Sequence, residues 1–210
     1  MIPKVLHFCW FGKTSYPDEV KKCLESWDRL LPDYKKVIWN EENFDIHSNL
    51  YVKQAYGAKK YAFVSDYVRL YALFHYGGIY LDTDVEVVKN LDPFLEHAAF
   101  AGFEDEWVLS SATLGAMKHH PWIAQLLDLY KNKVFIFDDG SWVPIPNVVP
   151  ITDLTERNFG LKRGNDYYQV LKDNLHIYPR DYFSPKSFHS RKITLTQNTH
   201  AIHHFNHSWA

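Results

Sequence analysis

Hydrophobic positions along the chain alternate between two rhythms. From Val5 to Trp10 apolar residues run almost unbroken after Pro3, which predicts a buried strand ending at Phe11-Gly12 with Trp10 at its carboxyl end. From Asp18 onward Val20, Cys23, Leu24, Trp27 and Leu31 recur at helical spacing with charges between them, an amphipathic helix closed by Pro32-Asp33. Lys36 to Trp39 is a second strand ended by Asn40, and Glu41 to Tyr56 reads as helical or irregular. Strand, helix, strand predicts parallel strands with helices on the faces of the sheet, an architecture that binds ligands beyond the carboxyl ends of its strands.

The same alternation continues. Ala62 to His75 reads as a mostly apolar helix, stopped by Gly77-Gly78, and Ile79 to Asp82 as a short strand. Glu86 to Leu91 predicts a further strand leading into the Asp92-Pro93 turn, Ala98 to Phe103 and Ala112 to Met117 two more, and Pro121 opens a helix to about Tyr130. Beyond Phe137 the text changes to Asp138-Asp139-Gly140-Ser141 followed by prolines at 144, 146 and 150, which predicts a long loop or lid. Thr152 to Asn158 reads as a short helix, Leu175 to Tyr178 as a strand, Pro179 to Arg191 as a polar loop, and His200 to Phe205 as a last strand. No repeat recurs at a fixed period and no linker divides the text, so residues 1–210 are expected to form one α/β domain. The chain stops one residue after Trp209, which leaves open a C-terminal extension beyond Ala210.

Composition narrows the function classes. At 210 residues, with 46% hydrophobic and 23% charged residues, the chain can bury a core without disulfides. A formal net charge of −2 and the absence of long basic clusters exclude a nucleic-acid partner. Cys9 and Cys23 are too few for a disulfide framework and lack metal spacing. No run of about 18 apolar residues marks a membrane span and no signal sequence opens the chain. A cytoplasmic location is expected, compatible with peripheral association at the inner face of a membrane.

Candidate chemistry gathers between residues 62 and 86. Asp82-Thr83-Asp84 means little alone: sixteen Asp among 210 residues supply roughly one such spacing by chance. On a strand, however, Tyr80, Asp82 and Asp84 share one face, and carboxylates so placed are stabilised most readily by a hard cation such as Mn²⁺ or Mg²⁺. Asp66 and Arg69 lie three apart on the apolar helix and so share a face. They either pair with each other as a local ion bridge, or use the Asp to accept hydrogen bonds from a base or ribose and the Arg to meet phosphate. Glu104-Asp105-Glu106 reads as a solvated acidic turn, with an acceptor-facing carboxylate as its other reading. His119-His120 reads as polar loop. Neither a dinucleotide fingerprint nor a Walker motif occurs.

Four blocks in order then carry a resemblance: Ile2-Pro3-Lys4-Val5-Leu6-His7 with Trp10; Ser65-Asp66-Tyr67-Val68-Arg69-Leu70-Tyr71-Ala72-Leu73; Gly77-Gly78-Ile79-Tyr80-Leu81-Asp82-Thr83-Asp84; and His203-His204 with Ser208-Trp209. Together they resemble the DXD-containing glycosyltransferases of family 32, which include bacterial polysaccharide-synthesis enzymes and fungal mannosyltransferases, with the clostridial glucosylating toxins as distant relatives. The resemblance implies a GT-A, Rossmann-like fold with a central mixed, mostly parallel sheet. It implies a nucleotide-sugar donor, probed first as a UDP-sugar, a saccharide acceptor in surface polysaccharide or glycan synthesis, and Mn²⁺ or Mg²⁺. Trp10 is then expected to stack on the base, and Ser65, Asp66 and Arg69 to meet nucleoside and sugar. Tyr80 and Asp82 are expected against ribose, sugar or metal, and Asp84 as the principal metal ligand. His203 is preferred to His204 as a further ligand, since neighbours on a strand point oppositely, and Trp209 is expected to reach the diphosphate. Asp82, Asp84 and Arg69 carry the catalytic expectation: hexosyl transfer with retention and without an identified protein nucleophile or base. A metal-dependent nucleotide-sugar hydrolase and a non-catalytic carbohydrate-binding module are the rivals.

Overall fold

A computed structural model describes residues 1–142, 145–164 and 167–206. In chain order the elements are β1 (Val5–Cys9), α1 (Asp18–Leu30), β2 (Lys35–Trp39), α2 (Leu50–Gly57), α3 (Tyr61–Tyr76), β3 (Gly78–Leu81), β4 (Val85–Val87), β5 (Ala99–Gly102), β6 (Thr113–Ala116), α4 (Pro121–Asp128), α5 (Val148–Phe159), β7 (Gln169–Leu171), β8 (Leu175–Tyr178), α6 (Arg180–Phe183) and β9 (Ala201–His203). Seven strands form one mixed sheet in the order β2-β1-β3-β6-β5-β8-β7. β1, β2, β3, β5 and β8 run one way, and β6 and β7 run against them. The pair β4 and β9 makes a separate two-stranded ribbon.

Alternating side chains build two cores, one on each face of the sheet. Leu6, Phe8, Ile79 and Leu81 pack on one side with Trp27 and Leu31 from α1 and its end. Cys9 and Tyr80 point to the other, where Phe63, Val64, Val68 and Leu73 of α3 lie with residues of α4 and α5. The amphipathic text of α1 thus buries Val20, Cys23 and Trp27, and Asp18 and Glu19 occupy its first turn, where carboxylates complement the helix dipole. α3 is buried on most sides, as its near-continuous apolar text requires.

The reversal from α3 into β3 depends on Gly77-Gly78. Gly77 ends the helix at φ 66°, and Gly78 has φ 121° with a position for any Cβ only 2.4 Å from the Val5 carbonyl oxygen. No side chain fits there.

Several expected elements change. Asp84 does not lie on the strand of Tyr80: β3 ends at Leu81, and the Val85 amide bonds back to the Asp82 carbonyl at 3.0 Å, so a turn delivers the second carboxylate. The strand expected over Glu86 to Leu91 is confined to Val85–Val87, because His200 O takes the amides of both Val88 and Lys89 and ends the ladder. The expected loop at 137–150 stops early: α5 begins at Val148 and holds Pro150 in its first turn, where a missing N–H costs nothing. β7 carries no readable period in three residues and exists through its pairing with β8. The polar stretch after Pro179 contains α6, anchored by buried Phe183. His120 is buried, its Nδ1 accepting from the Trp122 amide to cap α4.

Candidate active site

The carboxyl ends of β1 and β3 lie side by side in the sheet, and the residues that follow them open onto one cavity of about 460 Å³. β1 ends on Cys9 and is followed by Trp10 and Phe11; after β3 come Asp82, Thr83 and Asp84; α3 contributes Ser65, Asp66 and Arg69. The strand that ends the described chain closes the ring. Pairing of Val85 with His203 places β9 against the turn that holds the carboxylates, across more than a hundred residues of sequence.

Arg69 is the hub. Nη2 donates to Asp66 Oδ1 at 3.0 Å; Nη1 donates to Asp82 Oδ2 at 3.2 Å and to the Ser111 carbonyl and hydroxyl at 2.7 and 3.0 Å; Nε donates to the Ser65 carbonyl at 3.2 Å. Its plane also lies 4.8 Å from the centre of the Tyr80 ring. The local ion bridge read from the Asp66/Arg69 spacing is present, and the same Arg also reaches Asp82 in the acidic turn. Burial opposes the charge on Arg69, yet Asp82, Tyr80 and Asp66 hold it firmly protonated. Asp66 is pushed up to about 7, since burial outweighs the attraction of Arg69. It also accepts a 2.7 Å hydrogen bond from Asn147 Nδ2, and Asn147 Oδ1 accepts from the Ser111 hydroxyl at 2.9 Å.

Asp82 accepts from the Tyr80 hydroxyl at 2.8 Å. Asp84 accepts from the Asn206 amide at 2.8 Å and lies 3.6 Å from His203 Nε2. Burial alone would raise its carboxyl, but His203 and the Asn206 amide outweigh burial and lower it to about 2. His203 in turn is raised: burial lowers it, and Asp84 and Glu104 more than compensate. Ligand atoms of Asp82, Asp84 and His203 lie within 4.8 Å of one another, and His203 Nδ1 is a buried nitrogen without a hydrogen-bond partner among the described residues. Two carboxylates and an imidazole at that spacing fit a hard or borderline divalent cation. His204, the alternative ligand, turns away to Glu86 Oε2 at 2.9 Å.

Trp10 lies at the mouth with its indole N–H bonded to the Thr14 carbonyl at 2.8 Å and its ring edge-on to Tyr16. Ser65 lines the wall, its hydroxyl donating to Tyr61 O at 3.1 Å. Trp209 and Ser208 lie outside the described residues. Cys9, in the same wall, is an inert thiol pushed up to about 12 by burial. Three contributors escaped the sequence, and a fourth was read there chiefly as solvated. Ser111 and Asn147 sit in connections with no motif, although an Asn just ahead of a helix is a start signal. Phe188 reaches the mouth from the loop after α6. Glu104 overturns the reading of a solvated turn: it faces the cavity with its side chain 20% exposed, while Asp105 serves the loop by accepting from the Trp107 and Val108 amides.

Comparison with known proteins identifies the family. A glycosyltransferase family described as a sugar-binding region containing the DXD motif matches residues 17–101, which include Asp82-Thr83-Asp84. Inositol phosphoceramide mannosyltransferase 3 of Schizosaccharomyces pombe is 33% identical over 135 residues, covering 60% of this chain and only 36% of the fungal protein. The uncharacterized glycosyltransferase L373 of Acanthamoeba polyphaga mimivirus is 34% identical over 207 residues, covering 89% of this chain and 77% of the viral one. The solved PaToxG glycosyltransferase shares the fold with a TM-score of 0.56 at 20% identity, over 74% of this chain and 68% of its own. The sheet and its helices are of the GT-A type, and the chain belongs to the DXD-containing glycosyltransferase family.

Proposed function

We propose that this chain transfers a hexosyl group, with retention, from a nucleotide diphosphate sugar to a saccharide or glycan acceptor, using a divalent cation. The observation that carries the reading is the convergence on one cavity of Asp82, Asp84 and His203 with Arg69, Asp66 and Trp10. Asp82, Asp84 and His203 would hold Mn²⁺ or Mg²⁺, and the chemistry such an ion supplies is neutralisation of charge on a departing diphosphate. Arg69 keeps the Asp82 carboxylate oriented and brings a permanent positive charge to the same wall, where a low dielectric strengthens it. Trp10 offers an aromatic face at the mouth to a nucleobase. Asp66 and Ser65 supply a hydrogen-bond acceptor and a hydroxyl to nucleoside or sugar. The partly enclosed cavity limits water around a transferred glycosyl group.

The donor is UDP-linked in this reading. The names of the fungal relatives raise a second possibility, a mannosyl donor and an inositol phosphoceramide acceptor. A thermal-shift screen of UDP- and GDP-sugars with Mn²⁺ separates them: stabilisation by UDP-sugars and not GDP-mannose is expected, and the reverse redirects the donor. Turnover of the selected donor should then rise on adding acceptor and vanish with EDTA. Acceptor-independent turnover as the best activity would make the chain a hydrolase, and saccharide binding indifferent to EDTA and to Asp84→Asn would make it a binding module.

A further inference from the structure

His203 is approached by a carboxylate on each side. Its Nε2 lies 3.6 Å from Asp84 Oδ1, and its Nδ1 lies 4.0 Å from Glu104 Oε2. Glu104 follows β5 in a narrow loop closed by the Phe103 and Leu109 bridge and by the bond from its own amide to the Val108 carbonyl. The loop fixes the Glu104 backbone across the cavity from the acidic turn. The nitrogen that Glu104 faces is the buried Nδ1 of His203, unpartnered among the described residues. A buried N–H without an acceptor costs free energy, and a carboxylate a short rotation away is the group able to remove that cost. An imidazole that gives one nitrogen to a cation is oriented by the partner of its other nitrogen.

We propose that Glu104 is the positioning residue of the metal centre: it accepts the Nδ1–H of His203, fixes the tautomer that leaves Nε2 free toward Asp82 and Asp84, and thereby strengthens divalent-cation binding. The inference rests on the metal-dependent reading above. The gap of 4.0 Å must close by about an ångström, within the reach of a carboxylate rotation when the site is filled. Glu104 touches neither donor nor ion in this role. It acts through His203 alone.

Mn²⁺ binding, read as free Mn²⁺ by electron paramagnetic resonance, tests this in four proteins: wild type, Glu104→Gln, His203→Ala and the double variant. Glu104→Gln is expected to weaken Mn²⁺ binding about tenfold, and to change nothing further in the His203→Ala background. Nitrogen-15 correlation spectra of the Mg²⁺-loaded wild type should show His203 protonated at Nδ1. Full Mn²⁺ affinity in Glu104→Gln, an equal loss with and without His203, or protonation at Nε2 overturns the assignment of Glu104 and leaves the metal-dependent reading intact. A wild type that binds no Mn²⁺ overturns both. Unchanged urea midpoints in Glu104→Gln separate a lost contact from a lost fold; should that variant unfold, Glu104→Asp, which keeps the charge and shortens the reach, is measured in its place with the same outcomes.

Discussion

Arg69 has 5% of its side chain exposed and lies between two carboxylates, so its removal exposes a simple electrostatic asymmetry. Deleting one member of a buried ion pair leaves the other charge uncompensated, at a cost of about 3–5 kcal/mol. Arg69→Ala is therefore expected to lower stability by that order in urea denaturation, and transfer activity by roughly 10²-fold or more. Arg69→Lys restores the charge without the planar fork that reaches Asp66, Asp82 and Ser111 together, and is expected to recover stability more than activity. Equal stability of Arg69→Ala and wild type would mean that the network holds nothing. This residue was legible in the sequence because a cation three positions from an Asp on an apolar helix has few reasons to be there. Ser111 and Asn147 were not, since each stands among ordinary loop text and acquires a partner only when the chain closes on itself, and Glu104 was legible only as the second of two readings. Glu104 in particular sits in an acidic triplet whose other members do face the loop or the solvent, and local charge density cannot tell the inward carboxylate from the outward ones.

At the scale of elements, strand and helix periods located β1, α1, α3 and β5 closely, because burial on one or both faces writes those periods into the text. They failed at β7 and at the start of α5, where pairing with β8 and a tolerated first-turn proline decide. Asn147 shows what the second failure hides. Standing just before α5, it ties that helix to Asp66 on α3 at 2.7 Å. Asn147→Ala leaves a buried carboxylate oxygen one donor short, at a cost of about 1–3 kcal/mol, and Asn147→Asp adds a like charge and should cost more. A urea midpoint for Asn147→Asp above that for Asn147→Ala would contradict this. β8 carries a separate device: His176 stacks on His97 with ring centres 3.6 Å apart, and its nitrogens meet Tyr168 and Asn174. His97 Nε2 meets the Tyr178 hydroxyl, and both nitrogens of His176 have partners while its ring is neutral. Burial and the neighbouring His97 lower His176 to about 4 from an ordinary 6.5. As pH falls through that interval the unfolded chain takes up the proton and the folded chain does not, so this contribution is complete above pH 6.5, lost progressively toward pH 4, and constant below. His176→Gln should flatten the fall in urea midpoint across that window relative to wild type; parallel curves would remove His176 as the cause.

Across the whole molecule, the candidate site joins parts of the chain that the sheet leaves separate. Asp84 sits in the turn after β3, and His203, His204 and Asn206 belong to the last described stretch, which meets that turn through the three-residue β4 and β9 pairing. Asn206 donates its amide to Asp84, His204 donates its own to the Asp84 carbonyl, and Lys186 and Arg191 hold the carbonyls of His204 and Phe205. Val85, Val87 and Ala201 of that pair are buried in the core shared with β1, β3 and α1, whereas the contacts of His204 and Asn206 with Asp84 rest on the hydrogen bonds just named, so their stability follows the ligand that Asp84 and His203 share. A ligand present at 100 times its dissociation constant stabilises the state that binds it by about 2.7 kcal/mol. Amide hydrogen exchange with saturating Mn²⁺ and donor should therefore slow together at His204 and Asn206, while amides of β1, β3 and β4, already opening only with the core, change little. EDTA should restore fast exchange at those two positions, and Asp84→Asn should leave them fast with ligand present. Slowing spread evenly over the sheet would instead mean that ligand binding stabilises the fold globally, and the link between the acidic turn and the last strand would not be the place where the site closes.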